Sequence, residues 1–386
     1  MPCSLARRLG WGSVSSSPAP AGPGSRSAVQ PVSLCARAPE VGADRLIAGL
    51  VPPPRFGSAR FDTYAPDPDA PGQAAAVRAL TAFAAGLGSG RAGQTGRRRW
   101  FGARAGRTGG DGVYLDGGFG VGKTHLLAAL WHAAPAPPEH KAFCTFAELT
   151  QLAGALGFQR TVRALSGHRL VCIDEFELDD PGDTVLVSSL LDGLGAAGVA
   201  LAATSNTLPD RLGEGRFAAE DFRREIQGLA ARFRTLRVDG ADHRHRGMPA
   251  APPPYSEEQV AAAAHRLPGA GLDDFPRLLD HLAHLHPSRY GALLDGVTAL
   301  CLTGVRPVPD EAAALRLVVL ADRLYDREIP VLASGEPLDR VFGDRVRTGG
   351  YRKKYLRALS RLSALTREAV HLGAPVLPAA RLPAEG

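Results

Sequence analysis

The chain of 386 residues carries 45 Lys and Arg against 39 Asp and Glu, a formal net charge of +6, and 45% of its residues are hydrophobic. That length accommodates two domains with sizeable cores, and no apolar run approaches the ~18 residues that a membrane-spanning helix requires. Five cysteines, an odd number with no C-x-x-C pair, speak against a disulfide framework and against a cysteine zinc site.

Residues 1–43 are rich in Ser, Pro, Ala and Gly and read as a disordered, low-complexity extension. Arg7, Arg8, Arg26 and Arg37 occur with no acid before Glu40, a transit-like composition, but prolines at 18, 20, 23 and 31 break any long amphipathic helix. The preference for Arg over Lys reads as the codon bias of a GC-rich bacterial genome, which favours a cytoplasmic protein.

Residues 44–111 form a linker segment. Its proline- and aspartate-rich first part is expected to be extended, with Phe61 and Tyr64 as candidate adenine contacts, and a helix is predicted over residues 73–83. A glycine-rich loop then holds Arg91, Arg97, Arg98, Arg99, Arg104 and Arg107 without one acid between residues 86 and 110. These charges could meet nucleic acid, an acidic partner or a phosphate, or simply be solvated.

Residues 112–246 carry the chemistry. GVYLDGGFGVGKTHLLAALW, residues 112–131, contains Gly117, Gly122, Lys123 and Thr124 in the spacing G-x-x-x-x-G-K-[ST] of a phosphate-binding loop, set between a short apolar strand and a leucine-rich helix. Gly117, Gly118, Phe119, Gly120, Val121 and Gly122 would wrap a triphosphate in backbone N–H groups, for which glycine allows close approach. Lys123 would reach the β- and γ-phosphates of ATP, and the Thr124 hydroxyl would hold Mg²⁺.

A second strand is expected over residues 141–146. At residues 170–175 four apolar residues run directly into Asp174 and Glu175. A strand buried on both faces would deliver these carboxylates beside the phosphates. Asp174 is the second candidate metal ligand, and Glu175 the candidate base for the attacking water. Asp183 is expected to cap a helix with Val185, Leu186, Leu190 and Leu191 facing inward. A fourth strand over residues 198–203 ends in Thr204, Ser205 and Asn206, which would place Asn206 between the two motifs, where it can bond the water or the γ-phosphate. Phe222, Ile226, Leu229 and Phe233 mark a helical stripe, and Leu236 and Val238 a fifth strand.

LDGGFGVGKTHLL, VCIDEFELDDPGD and LAATSN, preceded by PPPRFGSARFDTY, resemble the ZapE family of cell-division ATPases and their mitochondrial AFG-type AAA relatives. The resemblance implies an AAA-type module that hydrolyses ATP, works as a homo-oligomer and, in bacteria, destabilises FtsZ polymers at the division ring, near the membrane without crossing it. It also implies a trans-acting arginine finger at Arg224, with Arg223 as the alternative, and a second arginine sensor in R-x-x-S-R-L, residues 357–362. The alternatives are a nucleic-acid-associated ATPase of the helicase-loader kind, disfavoured with nucleic acid as a partner because no helix-turn-helix or aromatic-and-basic strand pattern is evident, and a nucleotide-gated scaffold, disfavoured because Glu175 is present.

Residues 247–386 begin with a proline linker at 251–254 and read as a smaller α/β and helical domain. Strands are expected over residues 297–302 and 329–333, with helices over 312–325 and 351–368, the last amphipathic and basic. ALCL and VLASGEPLDR echo VCID and AATSNTLPDR, but Thr303 and Gly304 stand where Asp174 and Glu175 stood, so this half is not expected to hydrolyse nucleotide. His281, His284 and His286 lack a Cys or an acid at ligand spacing beyond Asp280, so no metal centre is expected there. The fold class that follows is α/β, a P-loop NTPase of AAA type with a doubly wound parallel sheet and a smaller C-terminal α/β domain.

Overall fold

The computed structural model describes residues 30–88, 112–118, 120–178, 181–212, 222–240, 252–343 and 351–373. Residues 1–29, Phe119 and the arginine loop from Arg91 to Arg107 lie outside the described residues.

Alternating short apolar runs and amphipathic stretches build a parallel sheet covered on both faces. Its strands are β1 (Gly112–Asp116), β2 (Lys141–Thr145), β3 (Leu170–Asp174), β4 (Ala200–Ser205) and β5 (Phe233–Arg237), in the order β2-β3-β4-β1-β5. The helices of this half are α1 (Ala43–Ala48), α2 (Pro71–Gly88), α3 (Lys123–Ala133), α4 (Phe146–Leu156), α5 (Phe158–Leu165), α6 (Pro181–Ala196) and α7 (Arg223–Ala231). Residues alternate between the faces, as strand pleating demands. Val113, Leu115 and Cys172 pack with Leu80 of α2 and Leu126 of α3. Tyr114, Val171 and Ile173 pack on the other side with Leu149 of α4, Leu190 of α6 and Leu229 of α7.

Topology positions the site. β4 pairs with both β1 and β3, Ala203 facing Tyr114 on one side and Ile173 on the other, so the C-terminal ends of three strands carry the loop, the acids and Asn206 side by side.

Three local expectations shift. Val185 is 45% exposed rather than inward, because α6 starts at Pro181 and its buried stripe is Val187, Leu190, Leu191 and Leu194; Asp183 lies in the first turn, not at the cap. Phe233 opens β5 instead of closing α7, and its ring packs at 5.7 Å from that of Tyr114. Phe146 starts α4, where Thr145 and Glu148 form a reciprocal capping box that ends the strand one residue early.

The second domain stacks β6 (Ala270–Asp274), β7 (Ala299–Val305) and β8 (Val331–Gly335) in parallel, in that order. Around them lie α8 (Glu257–Arg266), α9 (Phe275–Ala283), α10 (Tyr290–Leu293), α11 (Glu311–Asp326) and α12 (Arg352–Glu368). β6 was not expected, since AGLDD has little apolar signal. Its Asp273 is buried because it accepts bonds from the Ser33 hydroxyl at 2.6 Å and from the backbone N–H groups of Leu34 and Cys35.

The partner of β6 corrects the reading of residues 1–43. From residue 30 onward the chain is ordered against the second domain: Val32 bridges to Gly271, and Leu34 is fully buried in that core. Composition gave no hint, because the stability of this segment comes from the distant β6 edge rather than from its own apolar content.

The internal echo has a structural counterpart. Glu175 (φ 54°), just after β3, and Gly304 (φ 64°), next to the last residue of β7, are both left-handed. In both, the N–H donates to a hydroxyl on the next strand, Thr204 at 3.1 Å and Ser334 at 3.2 Å.

Candidate nucleotide site

The loop between β1 and α3 is shaped by what surrounds it. A Cβ on Gly117 would sit 2.1 Å from the Val238 carbonyl oxygen, and one on Gly122, at φ 85°, would sit 2.6 Å from the Tyr64 ring. Glycine is required at both positions. The Tyr64 hydroxyl donates to the Val121 carbonyl at 2.8 Å. His125 Nε2 lies 3.0 Å from the Arg60 carbonyl and 3.1 Å from the Thr63 hydroxyl, and His132 Nε2 lies 3.1 Å from the Phe56 carbonyl. The linker segment therefore clamps loop and helix together, with Phe61 half-buried in the core beneath α2 and α3.

Lys123 is buried and its ammonium donates to the carbonyls of Gly117 and Gly118, at 2.8 and 2.5 Å, and to Asn206 Oδ1 at 2.8 Å. Thr124 donates its hydroxyl to Asp174, 3.0 Å from Oδ2. The Thr204 hydroxyl also donates to Asp174 Oδ1. Burial raises the Asp174 carboxyl above its usual range, and the neighbouring Glu175 charge adds to this. Lys123, Thr124, Asp174, Glu175 and Asn206 line one cavity of about 280 Å³, with Gly120, Val121 and Gly122 on its wall.

After Asp174 the backbone turns sharply. Glu175 takes the left-handed conformation that costs a side-chain-bearing residue roughly 1–2 kcal/mol. Phe176 then drops into the core, where its ring packs against those of Phe146, Tyr114 and Phe233. Its N–H donates to the Thr204 carbonyl at 2.7 Å. Anchored on both sides, Glu175 is lifted off the sheet edge.

The carboxylate of Glu175 meets two arginines of α12. Arg357 pairs with Oε2, and Arg361 Nη2 lies 3.1 Å from Oε1. Both guanidiniums also pair with Asp322 of α11, Arg357 at 2.9 Å. Burial alone would raise the Asp322 carboxyl, but the two arginines outweigh it and hold it below the usual range. Arg357 and Arg361 face inward because α11 and α12, packed on each other, present them to Glu175 at the end of β3, and Arg357 also lines the cavity, where the second arginine sensor that the resemblance implies at residues 357–362 would have to act. Helical spacing shows that Arg357 and Arg361 share a face but not what opposes it, and Asp322, on α11 of the other side of the cluster, carried no signal in the sequence at all.

Arg224 lies elsewhere. It is exposed on the first turn of α7 and is not among the residues that line the phosphate cavity; Arg223 beside it is also exposed. Thr204 was legible only as the residue before the Ser-Asn end of β4.

The donor set fits a triphosphate with a divalent ion. The Thr124 hydroxyl and Asp174 carboxylate, 3.0 Å apart, are hard oxygen donors of the kind Mg²⁺ takes, and among the described residues the side-chain donors to the buried Asp174 carboxylate are the hydroxyls of Thr124 and Thr204. Lys123 supplies an ammonium on the same wall.

A family profile for AFG1-like ATPases matches residues 43–268 and 251–372. Cell division protein ZapE of Escherichia coli (strain K12) is 27% identical over 300 residues, spanning 67% of this chain and 78% of that protein. Its counterpart in Escherichia coli O157:H7 gives the same figures. Among solved structures, the DnaC helicase loader aligns at 16% identity over 48% of this chain and 99% of its own, with a TM-score of 0.33, too low to carry an argument. The family match extends over both domains and well beyond half of the chain, and the P-loop, the buried Asp174 and the five-stranded parallel sheet are in place beneath it; the chain belongs to the AFG1-like ATPase family.

Proposed function

We propose that the chain binds ATP at the loop of residues 117–124 and hydrolyses it to ADP and phosphate. The observation that carries this reading is the convergence of Lys123, Thr124, Asp174, Glu175 and Asn206 on one cavity at the ends of β1, β3 and β4. In this reading the Lys123 ammonium exchanges the Gly117 and Gly118 carbonyls for the β- and γ-phosphate oxygens. Thr124 and Asp174 hold Mg²⁺, which when bound neutralises phosphate charge. Asn206, already fixed by Lys123, orients the water or the terminal phosphate, and Glu175 accepts the proton of that water. Arg224 is proposed to act in trans on a neighbouring subunit's phosphate, which requires a homo-oligomer.

Likeness to a protein named for cell division supports a role in cell division; the proposed action, destabilising FtsZ polymers at the division ring from the cytoplasm, is what the family resemblance implies. Among the described residues no helix is long and apolar enough to cross a membrane.

The test is phosphate release by the purified full chain with Mg²⁺ and ATP, alongside Lys123→Ala and Glu175→Gln. A wild-type rate no higher than that of either variant would overturn the ATPase reading. Sedimentation of FtsZ polymers with the chain and ATP tests the partner separately.

A further inference from the structure

Glu175 sits at the meeting point of two demands. A base must hydrogen-bond the water it deprotonates, yet both its carboxylate oxygens are engaged by guanidiniums of the second domain, Arg357 on one and Arg361 on the other. The same two arginines are joined through Asp322, which pairs with both. Two cations thus lie between two carboxylates, all four side chains 15–21% exposed. Removing one partner from such a cluster leaves a poorly solvated charge, so the arginines need an anion wherever they turn.

A second anion site is adjacent. Arg357 lines the phosphate cavity together with Lys123, Thr124 and Glu175. A terminal phosphate in that cavity and the Glu175 carboxylate therefore compete for one guanidinium, and phosphate matches the bidentate geometry of arginine at least as well as a carboxylate does. A diphosphate ends one group short.

We propose that Asp322 is a positioning residue of this ATPase: it keeps Arg357 and Arg361 together as a fork that holds Glu175 until a nucleoside triphosphate takes the fork over. Release of the base is thereby coupled to the presence of a γ-phosphate, which adds a hold on Glu175, through Asp322, to the arginine sensor that the resemblance already implies at residues 357–362. The left-handed backbone of Glu175, at φ 54°, is the kind of strain that collects at switch residues. The inference rests on the ATPase reading above.

The coupling makes a thermodynamic demand that needs no turnover. If the fork is held by Glu175 in most molecules, the apparent affinity for a triphosphate is reduced by the fraction of molecules in which it is free. Equilibrium binding of a fluorescent, non-hydrolysable β,γ-imido ATP and of fluorescent ADP, with Mg²⁺ and the full chain, measures this. Glu175→Gln is expected to tighten the triphosphate about tenfold and to leave ADP within about twofold. In the Arg357→Gln Arg361→Gln background that gain disappears. Asp322→Asn is expected to lower the preference for triphosphate over diphosphate several-fold, because the fork loses its anchor, whereas a purely structural role would weaken both ligands alike; Asp322→Glu restores part of the preference. If the doubly substituted chain does not fold, Arg361→Lys with Glu175→Gln serves, and the gain should shrink by a large part. Equal changes for both nucleotides in Asp322→Asn, or a Glu175→Gln gain that survives loss of the arginines, overturns the proposal alone. A wild-type chain that binds neither nucleotide overturns it together with the ATPase reading.

Discussion

The ammonium of Lys123 and the side-chain amide of Asn206 are bonded at 2.8 Å, joining the first residue of α3 to the end of β4 across 83 positions of sequence. This contact ties the phosphate-binding loop to the strand beside it, and the amide's other end reaches Glu177 at 3.5 Å. Lys123→Ala removes the only charge the loop itself offers to a phosphate while leaving its backbone shape. Triphosphate affinity should fall on the order of 100-fold, the scale of two charge-assisted hydrogen bonds. Titration with a fluorescent ATP analogue checks this, and unchanged affinity would falsify the assignment of Lys123.

Glu175→Gln keeps the side chain's size and its Phe176 anchor but cannot accept a proton. Turnover should drop roughly 10²-fold or more while nucleotide stays bound. A steady-state rate equal to that of the parent would remove Glu175 from the mechanism.

The close approach of Tyr64 to Gly122 gives a backbone prediction. Gly122→Ala places a methyl against the ring at a φ of 85°, costing roughly 1–2 kcal/mol locally. Nucleotide affinity should fall about tenfold, and Tyr64→Ala should relieve part of the loss in the double variant by opening space. If the two substitutions simply add, the ring is not what restricts this position.

Arg224 supplies the test of assembly. It is exposed on α7 and away from its own phosphate cavity, so a role for it requires a neighbour. Arg224→Ala should bind ATP normally and hydrolyse it slowly; arginine fingers contribute about 10³–10⁵ in rate. Mixing Arg224→Ala with Lys123→Ala subunits should restore part of the activity, because some interfaces then combine an intact loop with an intact arginine. No recovery in mixtures shown to co-assemble would leave Arg224 a surface charge.

Asp326, at the end of α11, lines the larger cavity of about 600 Å³ between the domains. Burial pushes its carboxyl up to about 6, against the opposing pull of Arg361 and with Asp322 adding to the rise. A folded-state value above the unfolded one means that the folded chain binds this proton more tightly. The stabilising contribution is complete below about pH 4 and is lost as pH rises through 6, so at neutral pH the ionised group is a cost. Asp326→Asn should therefore raise stability by about 1–2 kcal/mol at pH 7.5, allowing for solvent in the cavity, and by little at pH 4. Thermal melts at the two pH values decide it: an equal shift at both would show that the gain has nothing to do with the proton.

The core of the molecule was legible because its signals are local. A buried strand needs a continuous apolar run, a phosphate loop needs glycines at fixed offsets, and acids at the end of a buried strand announce themselves, so Gly117, Lys123, Thr124, Asp174 and Glu175 could be read from spacing alone. Asn206 followed from the alternation of strands and helices, which fixed β4 as a strand but not its place in the sheet.

What sequence by itself determined, then, was the doubly wound P-loop architecture and which residues of the loop and of the ends of β3 and β4 are candidates for the site. Tertiary structure alone decided that residues 30–37 clip onto β6 through Asp273, that Tyr64 closes on Gly122, and that Arg357 and Arg361 turn inward to Glu175 and Asp322. Each of these joins residues far apart in the chain, 186 positions for Arg361 and Glu175. A charge or a short polar segment reads as solvated until its partner is known, since the cost of burying it is offset only by that partner and no local pattern records where the partner lies.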